Sequence, residues 1–286
     1  MRTRHIKFIP CAVAVLAFAN LSSAQVTTVQ EHEWLNSPAA TSHVGKITGD
    51  AKAAATDYRR YCVGCHGELG DGNGENAQWL TPKPRDFQLA TFKCRSTPTG
   101  TLPTDEDLFN TIGRGLDRSN MPSWNPLSAQ QRANMVAWIK HYSPRWQNEK
   151  PGTPIQIPPE PAVTAERVQA GREVFEKVQC WKCHGVQGMA NGPSASTLTD
   201  DLGRPILPYN FAEGSRPICG SSDPDLYRIF MTGLDGTPMP SFSDNIKPDE
   251  AWDLVFYLRT LQPKNAFNTK EKQIAKQLNL KPVSQQ

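Results

Sequence analysis

Apolar residues along this chain recur at helical rather than alternating spacing, and they gather in two sets of three pieces. The first pieces are Asp50 to Tyr61 and Thr164 to Val178, the latter with Thr164 suited to cap it. Short helices containing Asp105 to Ile112 and Pro224 to Met231 come next. The third pieces are Ala129 to His141, opened by the capping box Ser128-Ala-Gln-Gln131, and Asp249 to Leu261, with Pro248 in its first turn. On these last two, Val136, Trp138 and Ile139, and Trp252, Val255, Phe256 and Leu258, would turn one face inward. No run alternates at period two, so little strand is expected. Between the sets, residues 143–163 carry six prolines and predict a semi-rigid, extended linker. Residues 25–49 are polar and read as irregular, and the Lys-rich tail 263–286 has room for one more helix.

The two sets are copies of one another. Asp107-Leu-Phe109 matches Asp225-Leu-Tyr227, Gly115-Leu-Asp117 matches Gly233-Leu-Asp235, and Met121-Pro-Ser-Trp124 matches Met239-Pro-Ser-Phe242, all at an offset of 118. At the same offset Met135 to Tyr142 would correspond to Asp253 to Thr260. Pro84-Arg-Asp-Phe87 matches Pro208-Tyr-Asn-Phe211 at an offset of 124, so an insertion and a deletion must cancel. Two units are too few for a solenoid. Two domains of one kind are expected instead, 50–142 and 164–262.

Charge changes this picture little, but the first residues bear on location. Arg2, Arg4 and Lys7 precede a mostly apolar stretch from Ile6 to Leu21, then Ser22-Ser-Ala24. This reads as an export signal, 1–24, cleaved before Gln25, and its apolar part is short for a membrane span. Cys11 would leave with it. Three of the 31 Lys and Arg lie there and none of the 28 Asp and Glu, so the remainder is formally neutral. Nucleic-acid binding is not expected, and no later stretch is apolar enough to span a membrane.

The candidate chemistry lies in a five-residue word that occurs twice, Cys62-Val-Gly-Cys65-His66 and Cys180-Trp-Lys-Cys183-His184. Cys-x-x-Cys-His is the attachment signature of c-type haem. The thiols of Cys62, Cys65, Cys180 and Cys183 would bond the vinyl groups, and His66 and His184 would supply the proximal iron ligands. Cys-x-x-Cys also suits zinc or a redox dithiol, but neither explains the following His, and no further Cys or His clusters nearby. Each His is followed 55 residues later by a Met-Pro pair, Met121-Pro122 and Met239-Pro240. Both pairs follow Gly-containing loops, so Met121 and Met239 are the expected distal ligands. Met135 and Met231 fall on helices and read as core, and Met189 lies too close to His184 in sequence to reach the far side of a macrocycle. The spare imidazoles, His32, His43 and His141, have no counterparts in the other copy. Trp79, Arg85, Trp124 and Tyr209 are candidates to bond the propionates or simply to pack. Cys94 and Cys219 hold near-equivalent places in the copies; they could form a disulfide joining the domains, stay buried as thiols, or act as a ligand or nucleophile.

On Cys-x-x-Cys-His-Gly, Asp71-Gly-Asn-Gly74, Arg114-Gly115 and the two Met-Pro-Ser-aromatic segments, the chain resembles the dihaem class I cytochromes c. Phe92 to Gly100 is similar to cytochromes that accompany bacterial respiratory oxidoreductases. Two departures are visible: the first-helix aromatic stands four residues before Cys62 (Tyr58) but five before Cys180 (Phe175), and Thr232 replaces Arg114. The resemblance implies an all-α protein of two tandem class I cytochrome c domains joined by the Pro-rich linker. It implies two covalently bound haem c groups and single-electron transfer in the periplasm. Partners would be periplasmic or membrane-bound redox proteins: a dehydrogenase, a reductase or a terminal oxidase. No catalytic residue is expected. The rival is a dihaem oxidase or peroxidase, acting on thiosulfate or hydrogen peroxide, with one labile haem ligand.

Overall fold

Helices stand at each of the six places that the periodicity marks. A computed structural model describes residues 40–265, 268–281 and 283; residues 1–24, with Cys11, and His32 lie outside the described residues. In the first domain α1 (Ala51–Tyr61) is capped by Asp50, whose carboxylate accepts from the backbone of Lys52 and Ala53. A single turn, α2 (Val63–His66), carries the first haem word. Helix α3 (Asp105–Arg114) opens on a box between Thr104 and Asp107, and α4 (Ala129–His141) on the expected box between Ser128 and Gln131. The short α5 (Arg145–Asn148) begins the linker. In the second domain α6 (Ala165–Lys177), α7 (Trp181–His184), α8 (Asp223–Thr232) and α9 (Pro248–Leu261) repeat the order, and α10 (Thr269–Gln277) is the tail helix. In each domain the first and last helices pack together, α1 on α4 and α6 on α9. That pairing brackets the haem word between two buried faces.

The segment expected to be irregular is in part a hairpin. Strands β1 (Thr41–Val44) and β2 (Ile47–Asp50) pair antiparallel and lie on α4. Gly45 takes φ 56° at the two-residue turn, a conformation that glycine adopts without strain. Ser42 is fully buried and donates to the Ala133 carbonyl at 2.7 Å. The pair is too short to show an alternating pattern, which is why periodicity misses it.

The last helix also departs from expectation. Capping positions Ser128 and Gln131 correspond to Lys247 and Glu250, an offset of 119 rather than 118. The same shift appears where Gly70 abuts Tyr142 and Gly188 abuts Leu261. The second copy therefore has one extra residue between the Met loop and its last helix, and Met135 to Tyr142 corresponds to Leu254 to Leu261. Nor does α9 bury only one face: every residue from Ala251 to Thr260 is buried. Helix α10 and the linker cover what would have been its outer side; Lys272 donates to the Thr260 carbonyl and the Trp252 indole to that of Pro158.

The insertion and the deletion both lie at the contact between domains. The second domain gains a small turn around the Thr199–Pro205 bridge, which sets Asp200 and Asp201 near Arg85 of the first. The first domain gains a longer loop before α3. Its buried Arg95 ion-pairs with Asp235 at 2.8 Å, and Thr99 and Gly100 donate to the same carboxylate at 2.6 and 2.9 Å. Cys94 and Cys219 form a disulfide with Cα atoms 5.2 Å apart, so the open question about these residues resolves in favour of a bond joining the domains. The linker is hydrogen-bonded along this seam, Gly152 to Leu102 and Ile155 to Ser96, and Ile155 and Ile157 pack on the second core.

Candidate functional site: two matched His–Met haem sites

Both haem words fold into a single helical turn. Gly67 and Gly185 follow the histidines at φ 79°, the left-handed region that glycine tolerates best. The chain then doubles back: the His66 carbonyl accepts from Gly72, that of His184 from Ala190, and Phe87 and Phe211 donate to Gly70 and Gly188. This return brings one carbonyl to each imidazole. His66 Nδ1 lies 3.1 Å from the Arg85 oxygen and His184 Nδ1 lies 2.8 Å from that of Tyr209. A carbonyl only accepts, so Nδ1 carries the proton in both rings and Nε2 is left with its lone pair. Burial pulls both imidazoles below their usual range against the opposing effect of these bonds, and for His66 the nearby Arg85 charge adds to the lowering. Each is therefore neutral and oriented, as an iron ligand must be.

The two methionine loops match as closely. Met121 O accepts from Leu116, and Met239 O from Leu234. Their backbone amides donate to Ser119 and Thr237, and Ser123 and Ser241 hydroxyls tie the loops to the Gly113 and Met231 carbonyls. In the first domain His66, Cys62, Cys65 and Met121 line one cavity of about 360 Å³. In the second, Cys180 and Met239 pack against a common apolar cluster.

The first cavity fits an amphipathic macrocycle. Leu80, Phe92, Leu108, Ile112, Met135 and Ile139 line it, while Lys83, Arg85 and Lys93 place cations at its wall where carboxylates could meet them. As free thiols Cys62 and Cys180 are pushed up to about 12, first by burial, so neither is a ready nucleophile for dithiol exchange. Met135 is core, as expected, yet its sulfur also sits 3.9 Å from Cys62 Sγ. Met189 is exposed, and neither His43 nor His141 lines the cavity.

Some assignments change. Trp124 and Arg85 line the cavity, but Trp79 is 79% exposed and does not. Tyr209 serves through its carbonyl, while its hydroxyl donates to Ser215. Lys83, Lys93 and Ile218 were not singled out from sequence. Ile218 belongs to the second domain, and only the disulfide seam brings it to the first cavity. The offset between Tyr58 and Phe175 is absorbed by Gln179, which takes φ 60° before Cys180. Cys62 N then donates to Tyr58 and Cys180 N to Phe175, so the two aromatics hold the same place. Tyr58 donates to Gly67 at 2.8 Å and Tyr142 to Glu68 at 3.0 Å, a polar brace that Phe175 and Leu261 cannot provide in the second domain.

Two helical domains, each presenting an oriented imidazole, two adjacent thiols and a methionine loop, define a c-type cytochrome. Comparison with known proteins agrees. Residues 168–262 match the cytochrome c family, and residues 49–139 match the family described as cytochrome c oxidase, cbb3-type, subunit III. A chain of the Kuenenia stuttgartiensis reducing HAO-like protein complex shares 42% identity, with a TM-score of 0.72 over 73% of this chain and 96% of that one. No curated protein matches. The chain belongs to the dihaem cytochromes c; membership implies covalently bound haem c and electron transfer. Among the described residues no helix is long and apolar enough to cross a membrane.

Proposed function

We propose that this protein is a periplasmic carrier of single electrons, holding one haem c in each domain and working with, or within, a respiratory oxidoreductase complex. The observation that carries the reading is the duplicated pairing of a carbonyl-bound histidine with a hydrogen-bonded methionine loop. Haem c supplies a one-electron iron couple. Cys62 and Cys65, and Cys180 and Cys183, hold the two groups by thioether bonds. His66 and His184 would supply the iron ligands through Nε2, and Met121 and Met239 would supply the thioether ligands. A thioether favours the ferrous state relative to imidazole, and a filled sixth position excludes oxygen or peroxide. Residues 1–24 support export. The Kuenenia relative comes from a redox complex, which supports an oxidoreductase partner for this chain.

The test is optical and magnetic spectroscopy of the purified holoprotein. Pyridine haemochrome should count two haem c per chain, and the ferric protein should show the weak red charge-transfer band of methionine-bound iron. Met121→His and Met239→His should each remove about half of that band and lower one midpoint potential. An open-coordination spectrum, together with turnover of peroxide or thiosulfate, would replace the carrier with the oxidase or peroxidase reading.

A further inference from the structure

A second, polar cavity lies between α3 of the first domain and α8 of the second, with a volume of about 600 Å³. Five arginines line it, Arg95, Arg114, Arg132, Arg216 and Arg228, against two carboxylates, Asp107 and Asp225. Both carboxylates are already engaged. Asp107 accepts from the backbone of Ser96 and Thr104, and Asp225 from Ser222 and from Arg228 at 2.8 Å. Arg95 is spent on Asp235. Among the described residues, Arg114, Arg132 and Arg216 make no salt bridge. Arg114 reaches only the Gly115 carbonyl, at 3.4 Å. Arg132 donates to Asn125 and stacks on Phe109, while its buried Nε has no partner.

The duplication shows that the scaffold does not need Arg114 or Arg132. Thr232 stands at the place of Arg114, and the buried Ala251 at the place of Arg132. Three guanidiniums that make no salt bridge, contributed by both domains, therefore converge on one crevice that the fold itself leaves open, with Asp225 acting on Arg114 only at longer range. A guanidinium offers paired N–H donors in a plane that matches the edge of an oxyanion. A single halide would satisfy one such fork; several forks around a wide polar space call for several oxygens.

We propose that this interdomain cleft binds a small, multiply charged oxyanion of the phosphate class, held by Arg114, Arg132 and Arg216. Occupancy would tie the domains together across the seam. Thr111 and Cys94 line both this cleft and the first haem cavity, so the anion would also act on that site. A negative charge there favours ferric iron and lowers the midpoint potential of the first haem. That last effect rests on the proposed haem reading; the binding itself does not.

The experiment titrates the oxidised holoprotein with inorganic phosphate at constant ionic strength set by chloride, read by calorimetry and thermal melting. One equivalent should bind saturably and raise the melting temperature. Arg114→Thr, which installs the residue of the second domain, and Arg132→Gln should each weaken binding by about tenfold or more. Arg216 is exposed, so Arg216→Gln tests the site without threatening the fold and should weaken binding about threefold or more. Arg59→Gln, on a distant exposed face, should change nothing. No saturable binding beyond the chloride control, or unchanged affinity in both Arg216→Gln and Arg114→Thr, overturns the site. Binding without a potential shift would reject only the coupling to the first haem.

Discussion

Replacing Arg95 by Met should loosen the two domains more than any other single polar change along the seam. The guanidinium is 1% exposed, and its four bonds reach Phe92, Pro98, Thr232 and Asp235. Met keeps the volume but strands three carbonyls and one carboxylate. Breaking a buried pair by removing one partner costs about 3–5 kcal/mol. Asp235 retains its bonds from Thr99 and Gly100, so the lower figure applies, about 3 kcal/mol or somewhat more than a hundredfold in the opening equilibrium. Urea unfolding of the oxidised holoprotein, followed by circular dichroism, reads this as a lower midpoint at unchanged slope. Asp235→Asn should be similarly harmful, and Arg95→Met with Asp235→Asn should cost less than the sum, with a coupling of about 1–3 kcal/mol. In a Cys94→Ser/Cys219→Ser background, Arg95→Met should also enlarge the radius of gyration in solution scattering. A loss below about 0.5 kcal/mol, or strict additivity of the pair, would refute the argument.

Other outcomes follow from the same geometry. The Cys94–Cys219 bond closes a span of 125 residues, for which chain entropy predicts about 5 kcal/mol of stabilisation. The unreduced, denatured holoprotein should therefore take up no alkylating reagent at these positions, and the double Ser variant should unfold at lower urea; two alkylated thiols would contradict the bond. Burial raises Glu271 above the usual carboxylate range, with Asp223 adding to the effect, so folding disfavours its ionised form and stability falls as pH climbs through the ordinary Glu value. Glu271→Gln should thus stabilise at pH 7 and lose that gain below a pH of about 4; an equal gain at both pH values would sink the assignment. Gln179 sits at φ 60°, where Gly is relieved and a β-branched residue strained. Gln179→Gly should raise the urea midpoint, worth about 0.5–1 kcal/mol, and Gln179→Val should lower it by about 1–2 kcal/mol; indistinguishable variants would show the local strain to be absent.

The helices were readable because several carry their own signals, a side-chain cap such as Thr164 or Ser128 with an apolar stripe behind it. The hairpin at 41–50 was not, because two four-residue strands are too short for a period and hold their place by lying on α4. The one-residue shift of the last helix was equally hidden. Val136 and Val255 are both fully buried, but with apolar residues on either side of Val255 the sequence accepts an offset of 118 as readily as 119. The capping positions and the facing glycines, Gly70 and Gly188, decide between them in the folded chain. Trp79 shows the opposite error, since an aromatic near the haem loop is not thereby turned toward the haem.

Chemistry that is local in the chain was therefore legible before any fold was known. Covalent attachment needs two thiols and an imidazole within one turn, and a repeated methionine loop needs only equal spacing. What required the tertiary structure was everything reached across the duplication: the Cys94–Cys219 bond, Ile218 in the neighbouring cavity, Arg95 on Asp235, and the arginine-lined cleft. These contacts join residues of different domains and carry no shared period. They exist because the two copies diverged most where they touch, one gaining a turn and the other a longer loop, and such complementarity is a property of two surfaces meeting in space.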